Sequence, residues 1–196
     1  MEISTNGKIT FENGSFYEGG IFNGEPHGKG KMINYDENGN KDIYEGDFVH
    51  GKRCGKCKWT SFEGSVYEGD VVDDKAHGKG KYTYTKDSEW IDGEWVNISG
   101  VSKYIDGEEI NISGVYEGEF ADGKFHGKGK LTDTFGVYEG DFVNGQKHGK
   151  GKLTYADGNT YEGDFADNRP HGKGKVIYKD GTLMEGNWKE GRFVRK

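Results

Sequence analysis

The sequence predicts an all-β protein, a single elongated antiparallel β-meander of about eight hairpin repeats forming a ribbon or trough over residues 1–196. Three observations predict it. The tripeptide Tyr-Glu-Gly starts at Tyr17, Tyr44, Tyr67, Tyr116, Tyr138 and Tyr161, with a variant at Met184 and a degenerate copy at Ile91. Successive intervals of 27, 23, 24, 25, 22, 23 and 23 residues fix a period near 23 with insertions. Within each period side chains alternate as they do along a strand, and Asn-Gly or Asp-Gly dipeptides separate the alternating runs.

The first strand of a repeat is Tyr161-Glu-Gly-Asp-Phe165. It places Tyr161, Gly163 and Phe165 on one face and Glu162 and Asp164 on the other. Asn144-Gly145 shows the turn that follows this strand in the preceding copy, because both residue types accept positive φ. The second strand, Lys150 to Tyr155, sets Gly151, Leu153 and Tyr155 against Lys150, Lys152 and Thr154. Asp157-Gly158 then returns the chain to the next first strand. One face therefore carries aromatics spaced by glycines, which leave room for rings to lie against the backbone. The other carries Glu and Asp on one strand against Lys on the next, a solvated face of weak cross-strand pairs.

A second anchor supports the same register. Ten residues after Tyr17, Tyr67, Tyr116, Tyr138 and Tyr161 stand His27, His77, His126, His148 and His171, each opening His-Gly-Lys-Gly. Ten residues after Tyr44 stands Cys54, and Cys57 takes the place of the second glycine. The Cys-x-x-Cys thus reads as two substituted repeat positions; no second pair follows and no βαβ pattern surrounds it. The repeated histidines are expected to make a recurrent structural hydrogen bond, since a spacing of roughly 10 Å along the sheet is too wide for two of them to share a metal ion.

The ends and the middle depart from the pattern. Residues 6–16 match the second half of a repeat, and the chain closes on a basic tail after Trp188, which stands in the place of Phe165. Four extra residues around Asp36–Lys41 read as a longer hairpin tip. Residues 87–114 form an irregular or degenerate repeat, in which WIDGEWVNISG from Trp90 and YIDGEEINISG from Tyr104 each read as strands around an Asp-Gly turn.

Composition fits a thin structure. Only 31% of residues are hydrophobic, too few for a deep core, yet 12 Tyr, 11 Phe and 4 Trp are too many for a disordered chain. The 35 glycines follow no Gly-X-Y period. A net charge of −7 argues against nucleic acid as a partner. No apolar run approaches 18 residues and the start lacks a signal peptide, so the expected location is cytoplasmic. The His-Gly-Lys-Gly-Lys strings lack the spacing and the following helix of a phosphate loop. No nucleophile, base and orienting group converge outside the repeat logic. The expectation is no catalytic residue, no metal and no cofactor.

YEGDFVNGQKHGKGKLTYADG, from Tyr138, closely resembles the MORN motif (membrane occupation and recognition nexus), and the resemblance covers nearly all of the chain. It implies an elongated β-meander with an aromatic-lined groove. It also implies a role like that of MORN proteins consisting almost wholly of repeats, which are cytoskeletal, flagellar and apicomplexan scaffolds, and places this chain in a cytoskeletal or membrane-associated assembly. The leading expectation is a non-catalytic scaffold that holds a partner protein, such as a peptide helix, in the groove and can self-associate. The contact residues expected there are Tyr67, Tyr116, Phe120, Tyr138, Phe142, Tyr161 and Phe165. The alternative is a peripheral phospholipid-binding module, in which Lys128, Lys130, Lys150, Lys152, Lys173 and Lys175 meet phosphoinositide head groups.

Overall fold

The computed structural model describes residues 5–84, 90–91, 94–95, 104–105, 108–109 and 113–195. The first seven strands are β1 (Thr5–Thr10), β2 (Phe16–Phe22), β3 (Glu25–Tyr35), β4 (Lys41–Val49), β5 (Lys52–Thr60), β6 (Val66–Val72) and β7 (Lys75–Tyr84). Two isolated pairs follow, β8 (Trp90–Ile91) with β9 (Glu94–Trp95) and β10 (Tyr104–Ile105) with β11 (Glu108–Glu109). The array resumes with β12 (Gly114–Ala121), β13 (Lys124–Asp133), β14 (Gly136–Val143), β15 (Gln146–Tyr155), β16 (Thr160–Ala166), β17 (Arg169–Ile177), β18 (Leu183–Lys189) and β19 (Arg192–Val194). Leaving out β8–β11, the strands form one open antiparallel sheet of 15 in chain order.

The interruption does not break the sheet. Strand β7 pairs directly with β12, Gly80 opposite Gly118 and Tyr82 opposite Tyr116. The strands on either side of the irregular stretch are thus hydrogen-bonded neighbours, and the degenerate copy at Ile91 supplies no rung of the main sheet. The expected strands within it do pair, Trp90 opposite Trp95 and Tyr104 opposite Glu109. The remainder of that expectation, including both Asp-Gly turns, lies outside the described residues.

Two kinds of turn alternate. Asn144 and Gly145, at φ 51° and 85°, form the two-residue tip between β14 and β15; both angles suit the right-handed twist of a hairpin. At the other end Tyr155 N–H donates to Asn159 O at 2.8 Å around Gly158, whose φ is 91°. The stretch Asp36–Lys41 corrects the expectation of a longer tip. Asp36 N–H donates to Asn40 O at 3.1 Å, the same five-residue closure, and the extra residues lengthen the β3–β4 pairing to Tyr35 opposite Lys41.

The second strand of each of the six complete hairpins, β3, β5, β7, β13, β15 and β17, also contains a bulge that alternation does not reveal. Between β14 and β15 the pairing steps from Gly140–Gly151 to Asp141–His148, so Gly149 and Lys150 are extra on that side. Toward β16 the same residues pair regularly, with Phe165 and Asp164. Gly149 has φ 61°, which explains a glycine directly after the histidine. The Asp141 carboxylate accepts the Lys150 N–H at 3.0 Å, and Asp164 does the same for Lys173 at 3.0 Å. Bulges bend and twist a strand, and the tips beyond them form their own ladder. Gly145 N–H donates to Phe125 O at 2.8 Å, and Gly191 N–H to Pro170 O at 2.9 Å.

Candidate functional site

The site follows from rows that the register draws across the sheet. Gly118, Gly129, Gly140, Gly151, Gly163 and Gly174 stand opposite one another in successive strands. Each repeat tyrosine leans along its own strand over this glycine row, and its hydroxyl donates to the carbonyl three residues on. The distances are 2.7 Å for Tyr67 to Asp70, 2.8 Å for Tyr116 to Glu119, and 2.9 Å for both Tyr138 to Asp141 and Tyr161 to Asp164. Burial is the largest influence on three of these phenols; it pushes Tyr161 up to about 12 and Tyr116 and Tyr138 higher still. Those three are neutral hydrogen-bond donors at every physiological pH.

The phenylalanines of the tips fill the spaces between tyrosines of consecutive repeats. Phe142 meets Tyr138 and Tyr116 edge-on, both at 5.1 Å between centroids, and Phe165 meets Tyr161 at 5.1 Å and Tyr138 at 5.0 Å. Trp188 ends the row against Tyr161 at 5.2 Å. Such edge-to-face contacts add about 0.5–1.5 kcal/mol each beyond area burial.

All seven rings expected to contact a partner, Tyr67, Tyr116, Phe120, Tyr138, Phe142, Tyr161 and Phe165, lie in this layer at 0–3% exposure. The structure brings them together as a continuous core. The accessible apolar side chains of the same face are others, which the sequence reading did not single out. Met32, Trp59, Leu153 and Val176 stand directly opposite the repeat tyrosines and are half-buried against the core. Tyr155 is half-buried and Tyr178 exposed, each two residues further along the chain from Leu153 and Val176. Their signal was available: each lies one or three residues beyond the second lysine position of its His-Gly-Lys-Gly-Lys equivalent.

The opposite face carries two charge rows. In one, Lys8 pairs with Glu18 at 2.9 Å, Lys58 with Glu68 at 2.9 Å, Lys81 with Glu117 at 2.7 Å and Lys130 with Glu139 at 2.8 Å. Glu162 serves two neighbours, Lys152 at 3.1 Å and Lys175 at 2.9 Å. In the other row Lys56, Lys128 and Lys150 pair with Asp70, Asp141 and Asp164. Of the six lysines considered for phosphoinositides, five are thus matched to carboxylates, while Lys173 lies opposite Asn187. Between the rows runs a shallow furrow of about 750 Å³ floored by Gly69, Gly80 and Gly118 and walled by alternating Lys and Glu.

The histidines correct one expectation. His77, His148 and His171 are exposed, and among the described residues their side chains make no hydrogen bond; the recurrent bond of the repeat belongs to tyrosine. Cys54 and Cys57 are free thiols in the places of His and Gly. Burial, then nearby Asp47, Asp73 and Asp74, raise the Cys54 thiol above its ordinary value, so it is a poor thiolate. Among the described residues no three His, Cys, Asp or Glu side chains converge to hold a metal ion. Among them, too, no helix is long and apolar enough to cross a membrane.

Comparison with curated proteins gives no match. Comparison with family models gives a clear one. The MORN repeat matches residues 17–38, 44–66, 67–89, 116–134, 138–160 and 161–183, more than half of the chain. MORN repeats form non-catalytic scaffolds that act as interaction modules for proteins or membrane lipids. With its Tyr-Glu-Gly and His-Gly-Lys-Gly rows in continuous register on one open β-meander, the chain belongs to the MORN-repeat family.

Proposed function

We propose that this protein is a non-catalytic scaffold that holds a partner polypeptide along the aromatic face of its sheet. The observation that carries the reading is the arrangement of accessible apolar side chains beside a fully packed ring layer. Met32, Trp59, Leu153 and Val176, with Tyr155 and Tyr178, present apolar surface in register with the repeat. A helix or strand with an apolar stripe fits a surface of this kind. Tyr67, Tyr116, Phe120, Tyr138, Phe142, Tyr161 and Phe165 serve beneath it as a floor that fixes the spacing of the contact residues. The lipid alternative is disfavoured because the lysine rows are largely matched by carboxylates, which cancels their attraction for an anionic surface.

The test places a photo-crosslinking side chain at Leu153 or Trp59 and, as the opposite-face control, at Lys152 or Lys58. The expected result in the source cell is a discrete polypeptide adduct from the first two positions and none from the controls. Equal labelling from both faces, or adducts of lipid alone, would overturn the reading. Flotation with anionic vesicles at low salt is expected to leave the protein unbound.

A further inference from the structure

Strand β1 has the sequence of a second strand. Gly7, Lys8, Ile9 and Thr10 pair with Gly19, Glu18, Tyr17 and Phe16 of β2, as Gly174, Lys175, Val176 and Ile177 of β17 pair with Gly186, Glu185, Met184 and Leu183 of β18. Inside the array the other edge of such a strand is occupied by the first strand of its own hairpin, Gly163, Glu162, Tyr161 and Thr160 for β17. Among the described residues nothing occupies that edge of β1.

The opposite end of the sheet is its complement. Strand β18 is a first strand, with Leu183, Met184, Glu185 and Gly186 in the places of Thr160, Tyr161, Glu162 and Gly163. Its outer edge is paired with β19 only over Asn187, Trp188 and Lys189. From Leu183 to Gly186 that edge meets no strand among the described residues, and Leu183 is 56% exposed.

We infer that copies of this chain associate head to tail, the β18 edge of one pairing with the β1 edge of the next in the register Leu183 to Thr10, Met184 to Ile9, Glu185 to Lys8 and Gly186 to Gly7. The pairing continues every row of the sheet. Glycine meets glycine, the half-buried Met184 and Ile9 meet as Tyr161 meets Val176, and Glu185 meets Lys8 in the alternating charge row. Lys8 already bonds Glu18, but a row residue can serve both neighbours, as Glu162 does for Lys152 and Lys175. The contact is heterologous, so it propagates as an open chain rather than closing on a dimer. Strand β1 has neither the proline nor the inward charge that blunts a free edge. A junction of four residue pairs is small and belongs to the weak class of interfaces.

The experiment uses the full chain with Cys54→Ser and Cys57→Ser, to which Lys8→Cys and Glu185→Cys are added. The two introduced thiols lie near opposite ends of one sheet, 13 strand spacings or roughly 60 Å apart, so they cannot join within a chain. Across the inferred junction they stand directly opposite, with Cβ atoms about 4.5–5.5 Å apart, which a small local adjustment brings within reach of a disulfide. Mild oxidation at rising protein concentration is expected to give a ladder of reducible multimers. The out-of-register pair Lys8→Cys with Asn187→Cys is expected to give at least about ten-fold less, because its Cβ atoms sit diagonally. Equal ladders from both pairs, dimers alone, or monomer at every concentration would overturn the inference. The unmodified chain provides a second readout independent of these variants. Its sedimentation mass is expected to rise with concentration, and Glu185→Lys, which sets two lysines opposite each other, to lower the association constant several-fold. A mass that stays monomeric, or one unchanged by Glu185→Lys, would also overturn it.

Discussion

Tyr44 stands beside Cys57 in the one described place where the glycine row carries a side chain, and its hydroxyl lies 3.4 Å from the Asp47 carbonyl. The equivalent distance for Tyr138 is 2.9 Å. The thiol occupies space that a glycine leaves to the ring, and the phenol is lifted from its acceptor.

Returning that position to the repeat residue, Cys57→Gly, is expected to shorten the Tyr44–Asp47 bond to the 2.9 Å seen for Tyr138. The net stability change should stay within about 1 kcal/mol, because a gained hydrogen bond is opposed by the backbone entropy of glycine. Cys57→Leu should instead cost about 3 kcal/mol by overpacking the same slot. Crystallography of the first variant and chemical denaturation of both would check this.

Glycines of the row are expected to be far less replaceable than glycines of the turns. A Cβ on Gly140 would stand 2.5 Å from Tyr138 Oη and 2.6 Å from Lys150 O, whereas a Cβ on Gly14 meets nothing within 4 Å. Gly140→Ala should therefore cost about 3 kcal/mol. Gly14→Ala should cost about 1 kcal/mol, from its positive φ of 84° alone. Equal losses in denaturant titrations would show that ring contact is not what selects glycine in the row.

The faces, rows and pairing partners were legible in the sequence because a two-residue alternation leaves each side chain only two choices. Tyr161, Gly163 and Phe165 could not be separated from one another, nor Glu162 from Asp164. What alternation cannot encode is an extra residue on one side of a strand, so the bulge at Gly149 and Lys150 went unread. Which side chains cover the seven rings was hidden for a related reason. Phe142 is covered by tyrosines from two different repeats, and that contact exists only after the bulge has turned the tip. The histidines were misjudged because their recurrence reflects the backbone position before the bulge; the recurrent bond is made by the tyrosine.

Lys147 occupies the inward tip position that Phe125 fills one repeat earlier. Phe125 stacks on Tyr116 with centroids 3.7 Å apart, while the Lys147 ammonium sits 5.3 Å from the Tyr138 ring. Burial drives the lysine below its ordinary value. Lys147→Phe is expected to gain about 1 kcal/mol by replacing a desolvated amine with a stacked ring. Phe125→Lys should lose about 3 kcal/mol. Denaturant midpoints of the two variants would show whether the repeats are interchangeable at this position.

Acid should weaken the fold through the charge rows. Hydrogen bonds from Lys150, Lys56 and Lys130 hold Asp164, Asp70 and Glu139 below their ordinary values, and Lys175 with Lys152 does so for Glu162. A carboxylate lowered on folding contributes stability above its unfolded pKa and loses it as pH falls through the folded one. The melting temperature is therefore expected to be level from about pH 7 to 5 and to fall below about pH 4.5, the more steeply at low salt. A melting temperature that fell between pH 7 and 5 instead would assign the titration to other groups.

The meander also sets how the molecule would carry load. Its strands lie across the long direction, so hydrogen bonds between neighbours point along it. Tension applied at the two ends would meet those bonds one rung at a time instead of shearing many together. Each rung would peel and re-form with its neighbours intact. Such a ribbon yields gradually under pull and resists sideways sliding, which suits a flexible spacer better than a rigid strut.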